Sequence, residues 1–337
     1  MPYMENFQAA MNFEAIVMAL GKNDSFCSSL MDEVATHCSI DEALPFNKKV
    51  YSEVVGVPEQ WLEESYLKCR KAFERLGDDV SIIDRESPFW RPDFKGVRYL
   101  YLKGNAELLN VPSISVVGTR SPSQRGVELA KAVVDSLGDS GFCVTSGLAL
   151  GIDGIAHIEA LAKETPTIAV IGTSVCDVYP KQHERLQALV AQHGLLVSQF
   201  APSRVVQRYY FMQRNLLMSQ ISRGSLVVED RDGGGAVQQA QYSASQGKKV
   251  FVLRETFDNR TFLWPRKLKD PVVVPSPKGV GLSVRRALQL EKAFAKAIDT
   301  PDEALKRTQA DSSSRRRAPS KASSKAWIDP DIQPGLF

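Results

Sequence analysis

Two glycine-rich turns about thirty residues apart carry the residue types best suited to chemistry in this chain. The first reads Val116-Val117-Gly118-Thr119-Arg120. The second reads Ser146-Gly147-Leu148-Ala149-Leu150-Gly151-Ile152-Asp153. Each follows an apolar, β-prone run and opens onto a helical pattern. Strand, glycine turn and helix N-terminus together make an anion site, because glycine admits close approach and the first helical N–H groups lack intrahelical partners. Two such turns on one parallel sheet suit a phosphodiester backbone or a nucleotide. Arg120 adds a guanidinium at the mouth of the first turn, and guanidinium forks onto phosphate oxygens. The competing reading of Arg120 is a surface arginine paired with a carboxylate.

Further candidates follow along the chain. Asp153 stands where it can N-cap the next helix. His157, one turn later, is placed for an i,i+4 hydrogen bond to Asp153 and reads as a packed histidine. In Tyr179-Pro180-Lys181 the tyrosine either stacks on a base or packs its loop, and Lys181 is placed to meet a phosphate. Tyr209-Tyr210-Phe211-Met212-Gln213-Arg214-Asn215 joins aromatics to Arg and Asn at a helix start. Core packing explains Tyr210 and Phe211 well enough; Arg214 and Asn215 fit single-stranded nucleic acid better. The turns match neither the G-x-G-x-x-G dinucleotide fingerprint nor a P-loop, so no cofactor is expected.

Six strands are expected to position these groups, at 114–118, 142–145, 167–172, 195–198, 225–229 and 249–253. Helices are expected at 123–138, 153–164, 181–193, 212–223 and 236–246. Apolar strands alternating with amphipathic helices imply βαβ units and a parallel sheet covered on both faces. Right-handed crossovers then bring all the strand C-termini to one edge, where ligands of such sheets bind. Residues 1–80 read as a helical region, with helical spacing at 16–20, 30–35 and 61–76. A strand is expected at 97–103, and the α/β domain is placed at 81–260. A loop marked by Pro271, Pro275 and Pro277 and an amphipathic helix over 280–298 fill 261–307. Residues 308–337 read as a disordered basic tail.

The 337 residues carry a formal charge of only +3. Residues 311–325 hold five cations against one acid, which leaves the rest near −1. Nucleic-acid binding therefore needs a local patch. Five cysteines, without a CxxC pair, argue against disulfides or zinc and for a reduced, cytoplasmic protein, with Cys143 and Cys176 as small core residues. No apolar run is long enough for a membrane span.

Gly118-Thr119-Arg120, the run Ser146-Gly147-Leu148-Ala149-x-Gly151-Ile152-Asp153 with Ala156-His157, then Tyr179-Pro180, Arg214-Asn215 and Val227-Val228-Glu229 carry a family resemblance. Over roughly residues 95–255 the chain resembles the DNA-processing protein A (DprA/Smf) family, as a divergent member. The family's core is a Rossmann-like, doubly wound, mainly parallel sheet of the SLOG superfamily. The resemblance implies non-catalytic binding of single-stranded DNA by a bacterial homodimer, with protection of incoming DNA and loading of RecA recombinase in natural transformation. Arg120, Lys181 and Arg214 would be the DNA-contacting cations, with Gly118, Thr119, Ser146, Gly147, Gly151 and Asn215 shaping the phosphate sites and Tyr179 and Phe211 stacking on bases.

Asp232-Gly233-Gly234-Gly235 departs from the family's Ser-Gly-Ser/Thr turn, and Gln238-Gln239 follows where a T-A helix is usual. Leu253-Arg254-Glu255 replaces a Pro-Gly, and 270–337 shows no winged helix. Phage defence is then as compatible as transformation. A nucleotide sensor and a LOG-like phosphoribohydrolase are the alternatives; the second lacks the catalytic glutamate, since Gln238 and Gln239 stand in its place. The terminal Gln333-Pro334-Gly335-Leu336-Phe337 resembles the Q-x-x-L-F peptide that docks on the replication sliding clamp, a partner whose contacts would be Gln333, Leu336 and Phe337.

Overall fold

The computed structural model describes residues 6–289. The basic tail, the Gln333–Phe337 peptide and the distal part of the expected 280–298 helix lie outside the described residues.

Four helices open the chain: α1 (Phe7–Leu20), α2 (Asp24–Ala35), α3 (Lys48–Val55) and α4 (Glu59–Phe73). Glycines in the left-handed conformation, Gly21 at φ 61° and Gly56 at φ 74°, end α1 and α3, as expected where a side chain would be strained. Two strands follow, β1 (Val80–Ile83) and β2 (Leu100–Gly104). The alternating core is then β3 (Ser113–Val117), α5 (Gln124–Gly138), β4 (Cys143–Ser146), α6 (Ile152–Ala162), β5 (Thr167–Val170), α7 (Glu184–His193) and β6 (Leu195–Ser198). It continues through α8 (Tyr210–Ile221), β7 (Gly224–Val227), α9 (Gly235–Ser245) and β8 (Lys249–Leu253), to α10 (Arg254–Asp258), α11 (Trp264–Lys267), β9 (Val272–Val274) and α12 (Val280–Ala287).

The strands form one sheet in the order β1-β2-β6-β5-β4-β3-β7-β8-β9. The pairings from β6 to β9 are parallel, while β1–β2 and β2–β6 are antiparallel. The fold is a doubly wound, Rossmann-like α/β sheet with helices on both faces. Alternate residues feed opposite layers. Ile168 and Val170 pack with Leu217 and Met218 of α8 and Val237 of α9, whereas Ile114 and Val116 pack with Val133 of α5 and Ile155 of α6. Ala169 and Leu196 join Phe13, Tyr66 and Phe73 of the N-terminal helices in a third cluster.

Two strands were not expected. Val80–Ile83 pairs antiparallel with β2 at one edge of the sheet. Val272–Val274 is the other edge strand, where a proline-marked loop was expected. Prolines at strand ends cost nothing on an edge, since no ladder bond is required of them there. Cys143 is buried, but Cys176 is only partly so and lies in a loop, so it is not the core residue expected. No helix among the described residues is long and apolar enough to cross a membrane.

One buried ion cluster ties the helical region to the site. Arg204, in the loop between β6 and α8, donates to both oxygens of Glu14 (2.8 and 2.6 Å) and to Asp24 (2.8 Å). Burial pushes the Glu14 carboxyl up, against the pull of Arg204. Next to this anchor Phe200 stacks on Tyr210 with ring centroids 4.2 Å apart, which sets the start of α8.

Candidate functional site

The chain leaves β3 toward the layer of α5 and leaves β7 toward the layer of α9, so the two loops diverge and open a crevice at the carboxyl edge. This is the switch point where doubly wound sheets bind ligands. Gly118, Arg120, Asn215, Asp230, Arg231 and Gln239 are among the residues around a cleft of about 360 Å³ there.

The first turn is held by the end of β7. Thr119 N donates to Glu229 O at 2.6 Å. The Glu229 carboxylate accepts from Ser123 Oγ at 2.8 Å, while Ser123 Oγ caps α5 by accepting from Gly126 N at 3.0 Å. A side chain at Gly118 would place its Cβ 2.5 Å from Ile152 Cγ1, so the turn closes only with glycine. Arg120 stays exposed at the crevice mouth.

The second turn is stitched to the first and to its own helix. Ser146 Oγ donates to Val116 O at 2.7 Å, and Ile152 N donates to Thr119 O at 3.2 Å. Gly151 holds φ +76°, with Thr119 O and Arg120 too close to admit a Cβ. Leu148 is a buried, branched residue at φ 56°, a strained backbone position. His183 Nδ1 donates to its carbonyl at 3.0 Å and helps to hold it.

Two expected roles change in the structure. Gly151, not Asp153, occupies the N-cap of α6. Asp153 sits in the first turn, and its Oδ2 accepts from Gly147 N (3.2 Å) and Ala149 N (3.4 Å). The expected Asp153–His157 hydrogen bond is replaced by His157 Nδ1 to Thr167 Oγ1 at 2.8 Å. A carboxylate gains more from two backbone N–H donors than from one buried imidazole, so the acid turns to the loop. Asp230 does the same at α9, accepting from Ala236 N (3.0 Å) and Val237 N (3.2 Å). Amides of the second turn and the first amides of α9 are therefore taken up by the chain's own acids, and the crevice presents side-chain cations more than free amides.

Arg214 is 5% exposed. Its guanidinium donates to Gly147 O and to Val170 O, bridging the second turn to β5. Burial lowers its pKa, with Asp153 opposing and Arg120 adding to the shift. Burial raises Asp153, with Arg214 and the two loop amides opposing. Arg214 thus lines the crevice from behind, whereas Arg120 stands in front. Beside them Tyr179, half-exposed, meets Phe211 with ring centroids 5.1 Å apart. Lys181 is exposed on the next turn, and Asn215 is partly buried on α8. The sequence reading gave Arg231, Asp230 and Gln239 no binding role, although an acid just before a glycine-rich helix start is an N-terminal capping signal.

A family model described as DNA recombination-mediator protein A matches residues 94–268, just over half of the chain. The chain belongs to this family. The DNA processing protein DprA of Streptococcus pneumoniae is 34% identical over 154 residues, covering 46% of this chain and 54% of that protein. Protein Smf of Escherichia coli is 36% identical over 179 residues, covering 51% of this chain and 47% of that protein. The chain spans about half the length of these curated relatives. The X-ray structure of the Streptococcus pneumoniae DprA superposes with TM-score 0.62 at 23% identity, over 84% of this chain and 95% of that one. A DNA processing protein A from Helicobacter pylori, described for its single-stranded DNA binding mode, superposes with TM-score 0.54 at 23% identity, over 62% of this chain and 96% of that one. At that identity the superpositions show the fold.

His157 makes this DprA-family core pH-sensitive. Burial first, then His183, pushes its pKa down to about 3 from an ordinary 6.5. The unfolded chain takes up this proton near the ordinary value and the folded chain only far below it. Stability is therefore intact above about pH 6.5 and falls as the pH drops, by up to about 1.4 kcal/mol per pH unit. Asp153, shifted upward, acts in the opposite sense at lower pH. Urea midpoints followed from about pH 7 to pH 5 should decline in the native chain and flatten in His157→Gln. Equal slopes in the two proteins would assign the decline elsewhere.

Proposed function

We propose that this chain is a non-catalytic single-stranded DNA-binding protein of DNA processing and recombination. The observation that carries this reading is the exposed Arg120 at the β3–β7 crevice, with Arg231 across the same cleft and the Tyr179–Phe211 pair beside it. Phosphates meet the cations, and sequence-tolerant stacking takes the bases. The acids of the crevice support a binding role, since Asp153 and Asp230 each hold backbone N–H groups rather than facing a substrate bond. The same reading places the protein in the cytoplasm as a homodimer, with RecA as the recipient of the strand and the sliding clamp as the partner of Gln333–Phe337.

Fluorescence polarisation of labelled oligo-dT against salt concentration tests the reading. Arg120, Lys181 and Arg231 together predict a log–log slope of about −2, at about 0.7 per neutralised phosphate on a single strand. Absence of binding, or binding indifferent to salt, rejects it.

A further inference from the structure

Arg231 borders the crevice from a loop that is hard to hold still. Glycines follow it at 233, 234 and 235, and Gly233 adopts φ +74°. Glycine widens the conformations open to a loop, so fixing one costs more entropy than fixing another residue. The restraint comes from the segment after β8, where the sequence showed only a missing Pro-Gly and a loop. Its short helices α10 and α11 meet the β7–α9 loop at three points. Thr256 Oγ1 donates to Val228 O at 2.7 Å. Trp264 Nε1 donates to Asp230 O at 2.9 Å, and Leu263 N donates to Asp232 Oδ2 at 3.0 Å. Two successive residues thus grip both neighbours of Arg231. Trp264 is buried with Val237 and Ala240 of α9 and Val252 of β8, which anchors the grip in the core. Asp230 passes the restraint on, since its Oδ1 accepts from Arg231 N at 2.9 Å. The Arg231 side chain itself stays exposed.

We propose that Trp264 and Asp232 are positioning residues for phosphate binding, which hold Arg231 at the crevice before a strand arrives. A cation already ordered binds at a smaller entropic cost than one carried on a free glycine loop. This inference rests on the assignment of the crevice to single-stranded DNA. A buried indole N–H needs some partner, and any carbonyl would satisfy it. Here that carbonyl and the neighbouring carboxylate bracket the one cation of the loop. Asp232 separates positioning from plain charge. Removing an acid beside a phosphate contact should by charge alone tighten binding. Asparagine and alanine remove the same charge, but asparagine keeps an oxygen that accepts from Leu263 N.

The test is polarisation of labelled oligo-dT with the full chain over a range of salt. Asp232→Asn should bind at least as tightly as the native protein, with the salt slope kept near about −2. Asp232→Ala should bind about twofold or more weaker than Asp232→Asn, the scale of one ordinary hydrogen bond. Its slope, and that of Trp264→Phe, should flatten by up to about 0.7, the share of one phosphate contact. In an Arg231→Gln background neither substitution should weaken binding further, because the contact they serve is already gone. If Trp264→Phe does not fold, the two exposed Asp232 variants decide alone. Equal affinity and slope in the Asp232 pair, with an unchanged slope in Trp264→Phe, overturns the positioning role and leaves strand binding standing. A flattened slope in only one of Asp232→Ala and Trp264→Phe overturns the role of the other residue. A lower thermal midpoint with the slope intact, or losses additive with Arg231→Gln, makes Trp264 a packing residue and overturns its role. A native chain that binds no oligo-dT removes both readings.

Discussion

Arg214→Leu is expected to destabilise the fold by about 3–5 kcal/mol, the usual loss when one partner of a buried charge pair is removed. The guanidinium bridges Gly147 O and Val170 O and offsets the buried Asp153 carboxylate. Leucine leaves two carbonyls without a donor and the acid without its countercharge. Urea unfolding followed by circular dichroism measures the loss. Arg214→Lys should lose less, since it restores the charge but not the fork. Gly147→Ala damages the same contact from the other side, because the new Cβ would fall on the Arg214 guanidinium. The double variant should therefore cost clearly less than the sum of the two singles, the mark of a shared interaction. Additive losses, or an Arg214→Leu protein as stable as the native one, would contradict the bridge. Charge reversal at Arg214 is accordingly a poor probe of DNA contact, since it reports on folding first.

Arg120→Glu combined with Arg231→Glu carries the second large effect. Both side chains are exposed on the crevice, so the fold and thermal midpoint should be unchanged. Oligo-dT affinity at low salt should fall by about a hundredfold or more, because two phosphate contacts become two repulsions. The neutral pair Arg120→Gln and Arg231→Gln should flatten the salt slope by about 1.4, two contacts at about 0.7 each. Unaltered affinity in the glutamate pair would remove the carboxyl rim from the binding surface.

Legibility differed by the range of the interaction involved. Strands 195–198 and 249–253 and the helices from α5 to α9 could be read within a residue or three, because apolar runs and 3.6-residue spacing are local patterns. Val80–Ile83 and Val272–Val274 could not, since these edge strands lie outside the alternating strand–helix pattern and each is defined by pairing with a single neighbour. The glycines at 118, 147 and 151 were readable as close-approach positions from their spacing after strands. The roles of the charged residues between them were not.

From its amino-acid order alone this chain determined a parallel α/β sheet with two glycine turns at one edge, and a cation at the first of them. The tertiary structure decided which charges face outward. Arg214 is consumed by carbonyls 67 and 44 positions away in the chain, Asp153 turns from its own helix cap to the preceding loop, and Arg231 and Gln239 come to the crevice wall. The physical reason is that burying a charge or an amide is tolerated only where partners converge from distant strands, and convergence is a property of the folded chain.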